Sequence, residues 1–204
     1  MDNAFRVVAW NVHGAKADPD RGVWKYLLEL DPDVAFLQEV GGIPQHVRAR
    51  FACHEQRAMT NSSPQRFSTA LLVKSRMGQV VPLPAPADWV ARELKHFAGN
   101  LVARELLPDN GPALKAVCVG SPAANLGLVE CLRHKQGALT PTFRNTSNGG
   151  IVHQMDHLFV TEVLAQRLTA CDTGSRDRVF GSHPRLSDHL PVVADFRPPA
   201  GTAV

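Results

Sequence analysis

Residues 5–38 pack a strand, a helix and a second strand into one short stretch, and that succession limits the fold more than any other feature. Phe5 to Val12 (FRVVAWNV) is apolar and β-branched, the composition of a buried strand. Val23 to Leu30 (VWKYLLEL) sets Val23, Tyr26, Leu27 and Leu30 on one face of a short amphipathic helix. That helix stops at Asp31-Pro32, because the residue before a proline is pushed out of helical geometry. Val34 to Gln38 (VAFLQ) is again apolar. A strand, a short helical crossover and a strand make an α/β unit.

The remainder of the chain adds strands faster than helices. Thr69 to Lys74, Asn100 to Leu107, Leu114 to Val119, His157 to Val160 and Leu190 to Phe196 all read as strands, and Leu126 to Arg133 as a helix. Pro82, Pro84 and Pro86 lie in a connector too short to separate domains, so an ordered loop is expected there. The expected class is α/β (or α+β) around a two-sheet core. A length of 204 residues fits one domain over residues 1–197, with 198–204 as a frayed tail.

Composition removes several function classes. With 44% hydrophobic and 20% charged residues the chain is an ordinary globular one, and a net charge of +3 is too small to imply nucleic acid unaided. Cys53, Cys118, Cys131 and Cys171 form no CxxC and have no histidine pair at zinc-finger spacing; Cys118 and Cys131 sit in apolar surroundings and read as core. No signal-peptide pattern and no membrane-length apolar run is evident, so a cytoplasmic, reduced setting is expected. Trp24 and Trp89 are expected in the core.

Chemistry enters where polar residues interrupt the ends of apolar strands. Asn11 ends the first in WNVHG, Glu39 ends the second in LQE, Asp156 precedes a strand in QMDHLF, and Asp188-His189 precede the last in SDHLPV. Two groups follow strands and two precede them. If the later strands run antiparallel to the first pair, all four groups fall on one rim. Carboxylates and imidazoles crowded together repel and lose hydration, and a hard divalent cation with oxygen ligands resolves that conflict. Glu39 is then the principal ligand.

The four segments WNVHG, LQE, MDHLFV and SDHLPVVADF together resemble the endonuclease/exonuclease/phosphatase superfamily over residues 5–197. The resemblance implies a four-layer sandwich of two mixed β-sheets flanked by helices, with a single site at the rim. It implies Mg²⁺ (or Mn²⁺) on Glu39, Asn11 and Asp188, the last either as a direct ligand or as a carboxylate standing behind the ligands. It implies His189 on the scissile phosphate, Asp156 orienting His189, and Asn11 supporting metal and phosphate. The implied activity is metal-dependent phosphoesterase chemistry on phosphodiesters or phosphomonoesters, with nucleic acid, lipid and small phosphate esters all open as substrates. Phe143-Arg144 resembles the family loop that approaches substrate, while Arg48, Arg50, Arg57, Arg66, Arg144 and Arg185, which could supply charge around the rim, read as solvated surface.

One family element is missing. No GDxN motif, whose aspartate positions the attacking water, occurs in the sequence, and Gly120 stands where an upstream strand histidine is expected. Asn125 follows shortly after without a geometric reason to replace either group. The expectation is therefore of a retained metal site, lacking a central strand, with impaired hydrolysis; the alternative is an inactive member that binds a phosphorylated ligand or a partner.

Overall fold

The computed structural model describes residues 4–18, 20, 22–61, 63–82, 87–96, 98–109, 112–119 and 128–198. β1 (Phe5–Ala15) leads through α1 (Gly22–Leu30) to β2 (Val34–Val40). The chain continues through α2 (Gln45–Arg48), the hairpin β3 (Ala52–Thr60) and β4 (Ser63–Val73), then β5 (Ser75–Val80), α3 (Asp88–His96), β6 (Leu101–Pro108) and β7 (Leu114–Val119). It closes with β8 (Val129–Glu130), α4 (Cys131–Gln136), β9 (Phe159–Val160), α5 (Glu162–Ala165), β10 (Leu168–Thr173), α6 (Arg176–Phe180) and β11 (Val192–Phe196).

Six strands form the main sheet in the order β10-β11-β1-β2-β4-β3, and β5-β6-β7 form a second sheet, with β8 and β9 paired separately. β1 and β2 are parallel, as their helical crossover requires, while β11 runs antiparallel to β1 with Phe196 opposite Phe5. That antiparallel return carries the segment before β11 back to the end of β1 that holds Asn11.

Both faces of the main sheet are covered. Val8, Trp10 and Val12 pack on one face against Val23, Trp24 and Leu27 of α1 and Val179 and Phe180 of α6. Phe5, Val7 and Ala9 face the other way, toward Leu106 and Ala116 of the second sheet and Cys131 and Leu132 of α4. β1 is therefore apolar on both sides, which is why it reads as a continuous apolar run. Buried Trp24 satisfies its indole by donating to the Lys16 carbonyl at 2.7 Å, tying the loop after β1 to α1.

Several expectations are corrected. The helix expected over 126–133 begins at Cys131: Val129 and Glu130 pair with β9, and the Glu130 carboxylate caps the helix by accepting from the Arg133 amide at 2.6 Å. Gly137, at φ 75°, ends it in the left-handed conformation that glycine tolerates. The proline-rich connection holds α3, and its residues 83–86 lie outside the described residues, as do 120–127 (with Gly120 and Asn125) and 199–204. Trp89 is not core but 63% exposed on α3. β3, β5 and β10 escape a reading based on apolar runs because exposed polar residues interrupt each. Among the described residues no helix is long and apolar enough to cross a membrane.

Candidate active site

The site is assembled at the end of β1 and β2 by a matched irregularity. Their parallel register runs to Asn11 opposite Gln38 and resumes only at Ala15 opposite Val40. Inside the gap lie two non-glycine residues in left-handed conformation, His13 (φ 48°) and Glu39 (φ 52°). Ala35, Leu37 and Val40 all belong to the helix-side core. Strict alternation would have sent Glu39 there, so the left-handed residue lets Val40 fill the apolar place and frees the carboxylate. Such backbone costs about 1–3 kcal/mol and persists where the surroundings over-determine it. The freed Glu39 Oε1 accepts from Asn11 Nδ2 at 3.1 Å, and Asn11 Oδ1 accepts from the His13 amide at 3.0 Å.

The C-terminal motif is locked onto this edge. Ser187, buried, donates its hydroxyl to the Asn11 carbonyl at 2.7 Å and accepts the His189 amide at 3.0 Å. Trp10 Nε1 donates to the His189 carbonyl at 2.9 Å. A third segment completes the wall: the Leu190 amide donates to the Thr142 carbonyl at 2.8 Å and the Arg144 amide to the Asp188 carbonyl at 2.8 Å. The fully buried Thr142 hydroxyl accepts the amides of Met155 and Asp156, both at 3.0 Å, which fixes the backbone carrying the Asp156 carboxylate.

The reactive side chains meet as a row. His189 Nδ1 lies 3.0 and 2.8 Å from the two oxygens of buried Asp156. Its Nε2 faces Asp188 Oδ1 at 3.9 Å, and His13 Nδ1 approaches the same oxygen at 3.1 Å without the alignment of a hydrogen bond. Phe143 lies against His189 with ring centroids 4.8 Å apart. Burial by itself would lower the basicity of His189, but the hydrogen bond to Asp156 and the nearby charges of Asp156, Asp188 and Glu39 outweigh it and raise the imidazole pKa above its ordinary value.

Asn11, Asp156, Asp188 and His189 thus converge with Glu39, the five residues singled out in the sequence. His13, Ser187 and Thr142 were missed. His13 and Ser187 stand inside the WNVHG and SDHL motifs, so proximity in sequence was an available signal; Thr142 had none.

Comparison with known proteins is informative at the level of three-dimensional structure. No protein-family model matches the chain, and no curated protein matches it by sequence. A 3′ phosphatase from Neisseria bound to a product DNA hairpin superposes with a TM-score of 0.66 at 15% identity, over 95% of this chain and 99% of that one. An AP endonuclease from Archaeoglobus fulgidus gives 0.62 at 14% identity, over 94% and 99%. A protein described as an endonuclease/exonuclease/phosphatase, from Beutenbergia cavernae, gives 0.59 at 17% identity, over 96% and 72%. The chain has the endonuclease/exonuclease/phosphatase fold.

Within the endonuclease/exonuclease/phosphatase fold of this chain, the donor set can be tested against a divalent cation. Asp188 Oδ1 is buried and has no hydrogen-bond partner, the condition of an oxygen left for a ligand. Glu39 and the Asn11 amide, joined at 3.1 Å, add hard oxygen-bearing groups on the strand end to which Ser187 ties the Asp188 segment. Among the described residues no three His, Cys, Asp or Glu side chains enclose a ready cage. An open site with one or two carboxylates is what Mg²⁺, which keeps several waters, requires. The residues fit that group.

Proposed function

We propose that this protein is a divalent-metal-dependent phosphoesterase that hydrolyses phosphodiester or phosphomonoester bonds. One observation carries the reading: the buried Asp156 carboxylate grips His189 Nδ1 while the unpartnered Asp188 Oδ1 and the Asn11–Glu39 pair share the same rim. Asp156 fixes the tautomer with the proton on Nδ1, which leaves Nε2 for a phosphoryl oxygen. The raised pKa favours the imidazolium, a donor able to hold that oxygen as negative charge builds on it. Asn11, its amide nitrogen committed to Glu39, keeps the two strand ends at fixed separation. Mg²⁺ or Mn²⁺ held by Glu39, Asn11 and Asp188 would supply Lewis-acid charge and a more acidic water.

The experiment is hydrolysis of bis(p-nitrophenyl) phosphate with Mg²⁺ or Mn²⁺, comparing the native chain with Glu39→Ala and His189→Ala. Turnover that survives both substitutions refutes these roles. A second reading, an inactive member that captures a phosphorylated ligand, is favoured by the absence of GDxN. It requires ligand-induced thermal stabilisation with no turnover. Nucleic acid is a substrate candidate; the Neisseria phosphatase structure holds a DNA hairpin.

A further inference from the structure

The β3–β4 hairpin outruns the sheet it belongs to. Val40, next to Glu39, pairs with Ser68 of β4, yet the hairpin continues through Met59 opposite Pro64 to Thr60 opposite Ser63. Five residues at ~3.3 Å per residue carry its tip ~17 Å past the level of the catalytic rim. α3 is bolted to that tip. The Met59 amide donates to the Ala98 carbonyl at 2.8 Å, Asn100 Nδ2 donates to the Met59 carbonyl at 2.8 Å, and His96 Nδ1 lies 3.5 Å from Asn61 Oδ1. Gly99, at φ 78°, approaches so closely that a Cβ there would lie 2.0 Å from the Arg57 carbonyl oxygen, so no other residue fits this junction.

The arm so formed exposes an unusual set of side chains. Trp89, 63% exposed, shares one face of α3 with Arg92 and His96 at spacings of three and seven residues, and Lys95 is exposed beside them. Trp10 and Trp24, by contrast, are fully buried. Counted by sequence, residues 57–66 and 88–96 hold Arg57, Arg66, Arg92 and Lys95 against Asp88 and Glu93, a net charge of +2 with His96 neutral. Among the described side chains, which do not include that of Glu93, no salt bridge engages Arg57, Arg66, Arg92 or Lys95. A large exposed indole on the same helix face as Arg92, with Lys95 exposed on the same helix, matches a ligand with alternating flat apolar faces and negative charges.

We infer that this arm, β3–β4 with α3, is a docking platform for single-stranded nucleic acid, one base stacking on Trp89 while neighbouring phosphates meet Arg92, Lys95 and the hairpin arginines. A duplex keeps its bases stacked on one another and offers no free face, so the indole selects single strands. The inference rests on the phosphoesterase reading for its function, since the arm projects on the Glu39 side of the sheet, but binding itself does not depend on turnover.

The test separates the two. In EDTA, anisotropy of a labelled twelve-base oligothymidylate is followed with the native chain, Trp89→Ala, Trp89→Phe and Arg92→Ala/Lys95→Ala, beside a duplex of equal length. Expected are a loss of about tenfold or more in affinity for Trp89→Ala and recovery by Trp89→Phe, whose ring still offers a face for base stacking. The double variant is expected to weaken binding and flatten its salt dependence. Quenching of the native fluorescence by the oligonucleotide should vanish in Trp89→Ala. Equal affinity for the duplex, indifference to Trp89→Ala, or Trp89-dependent binding to phosphatidylserine vesicles instead overturns the proposal. Hydrolysis of bis(p-nitrophenyl) phosphate and of p-nitrophenyl phosphate with Mg²⁺ or Mn²⁺, measured on the same proteins, should be unchanged by Trp89→Ala; absence of both activities in the native chain overturns the phosphoesterase reading and leaves the binding result standing.

Discussion

Asp156 holds the imidazole of His189 with both carboxylate oxygens, at 3.0 and 2.8 Å from Nδ1. The grip is made between residues 33 positions apart, and the Thr142 hydroxyl that pins the Asp156 backbone makes it rigid. Asp156→Asn preserves the shape but not the acceptor pair, so the imidazole loses both its fixed tautomer and its compensating charge. Turnover should fall by about 10²–10⁴, the range for losing a positioned acid–base group, while the melting temperature moves little. Steady-state kinetics beside a thermal melt reads both; a rate within threefold of native sinks the role given to Asp156.

Glu39 should be required for metal-dependent stability as well as rate. A cation bound only to the folded state stabilises it by about 2.7 kcal/mol at a hundred times its dissociation constant. The native chain should melt higher on addition of Mn²⁺, and Glu39→Ala should show no such rise. Calorimetry with and without EDTA decides it.

His13 offers a trade between stability and activity. Its φ of 48° is strained for any residue with a Cβ, and glycine removes that strain. His13→Gly should be as stable as the native chain or up to ~1 kcal/mol more stable. It should nevertheless be slower, because the imidazole nitrogen 3.1 Å from Asp188 Oδ1 is gone. Chemical denaturation and initial rates would test this; a variant that is destabilised with unchanged rate contradicts it.

Glu130 ties stability to pH. Burial raises its pKa, but His157, 3.9 Å away, the Arg133 amide donating at 2.6 Å and nearby Gln154 outweigh burial, and the folded value lies below the ordinary 4.5. A carboxyl group depressed by folding stabilises above its unfolded pKa, and that contribution disappears as pH drops through the folded pKa. Glu130→Ala should therefore cost about 1 kcal/mol at pH 7, typical of a lost helix cap. The difference from native should shrink as pH falls below about 4.5. Urea titrations at several pH values measure it, and a constant gap would disprove the assignment.

The amino-acid sequence by itself determined the parts that rest on short-range pattern. β1, α1 and β2 were legible because Phe5–Val12 and Val34–Gln38 are short apolar runs of strand length, while Val23–Leu30 repeats its apolar residues at helical spacing. Asn11, Glu39, Asp156, Asp188 and His189 were legible because a polar side chain at the end of an apolar run has no packing reason to be there. β3, β5 and β10 were not, since their polar residues face solvent or other strands and lack an apolar run to announce them.

Only the tertiary structure decided which of those polar groups touch. The left-handed turn at Glu39, the hydroxyl of Thr142 accepting two amides, and the approach of His13 to Asp188 depend on strands brought together from distant parts of the chain. Trp89 shows the same limit from the other side: an apolar residue reads as core until the packing leaves it outside. Local preference is fixed by a residue and its neighbours along the chain, whereas contact and exposure are fixed by what the rest of the fold places against it.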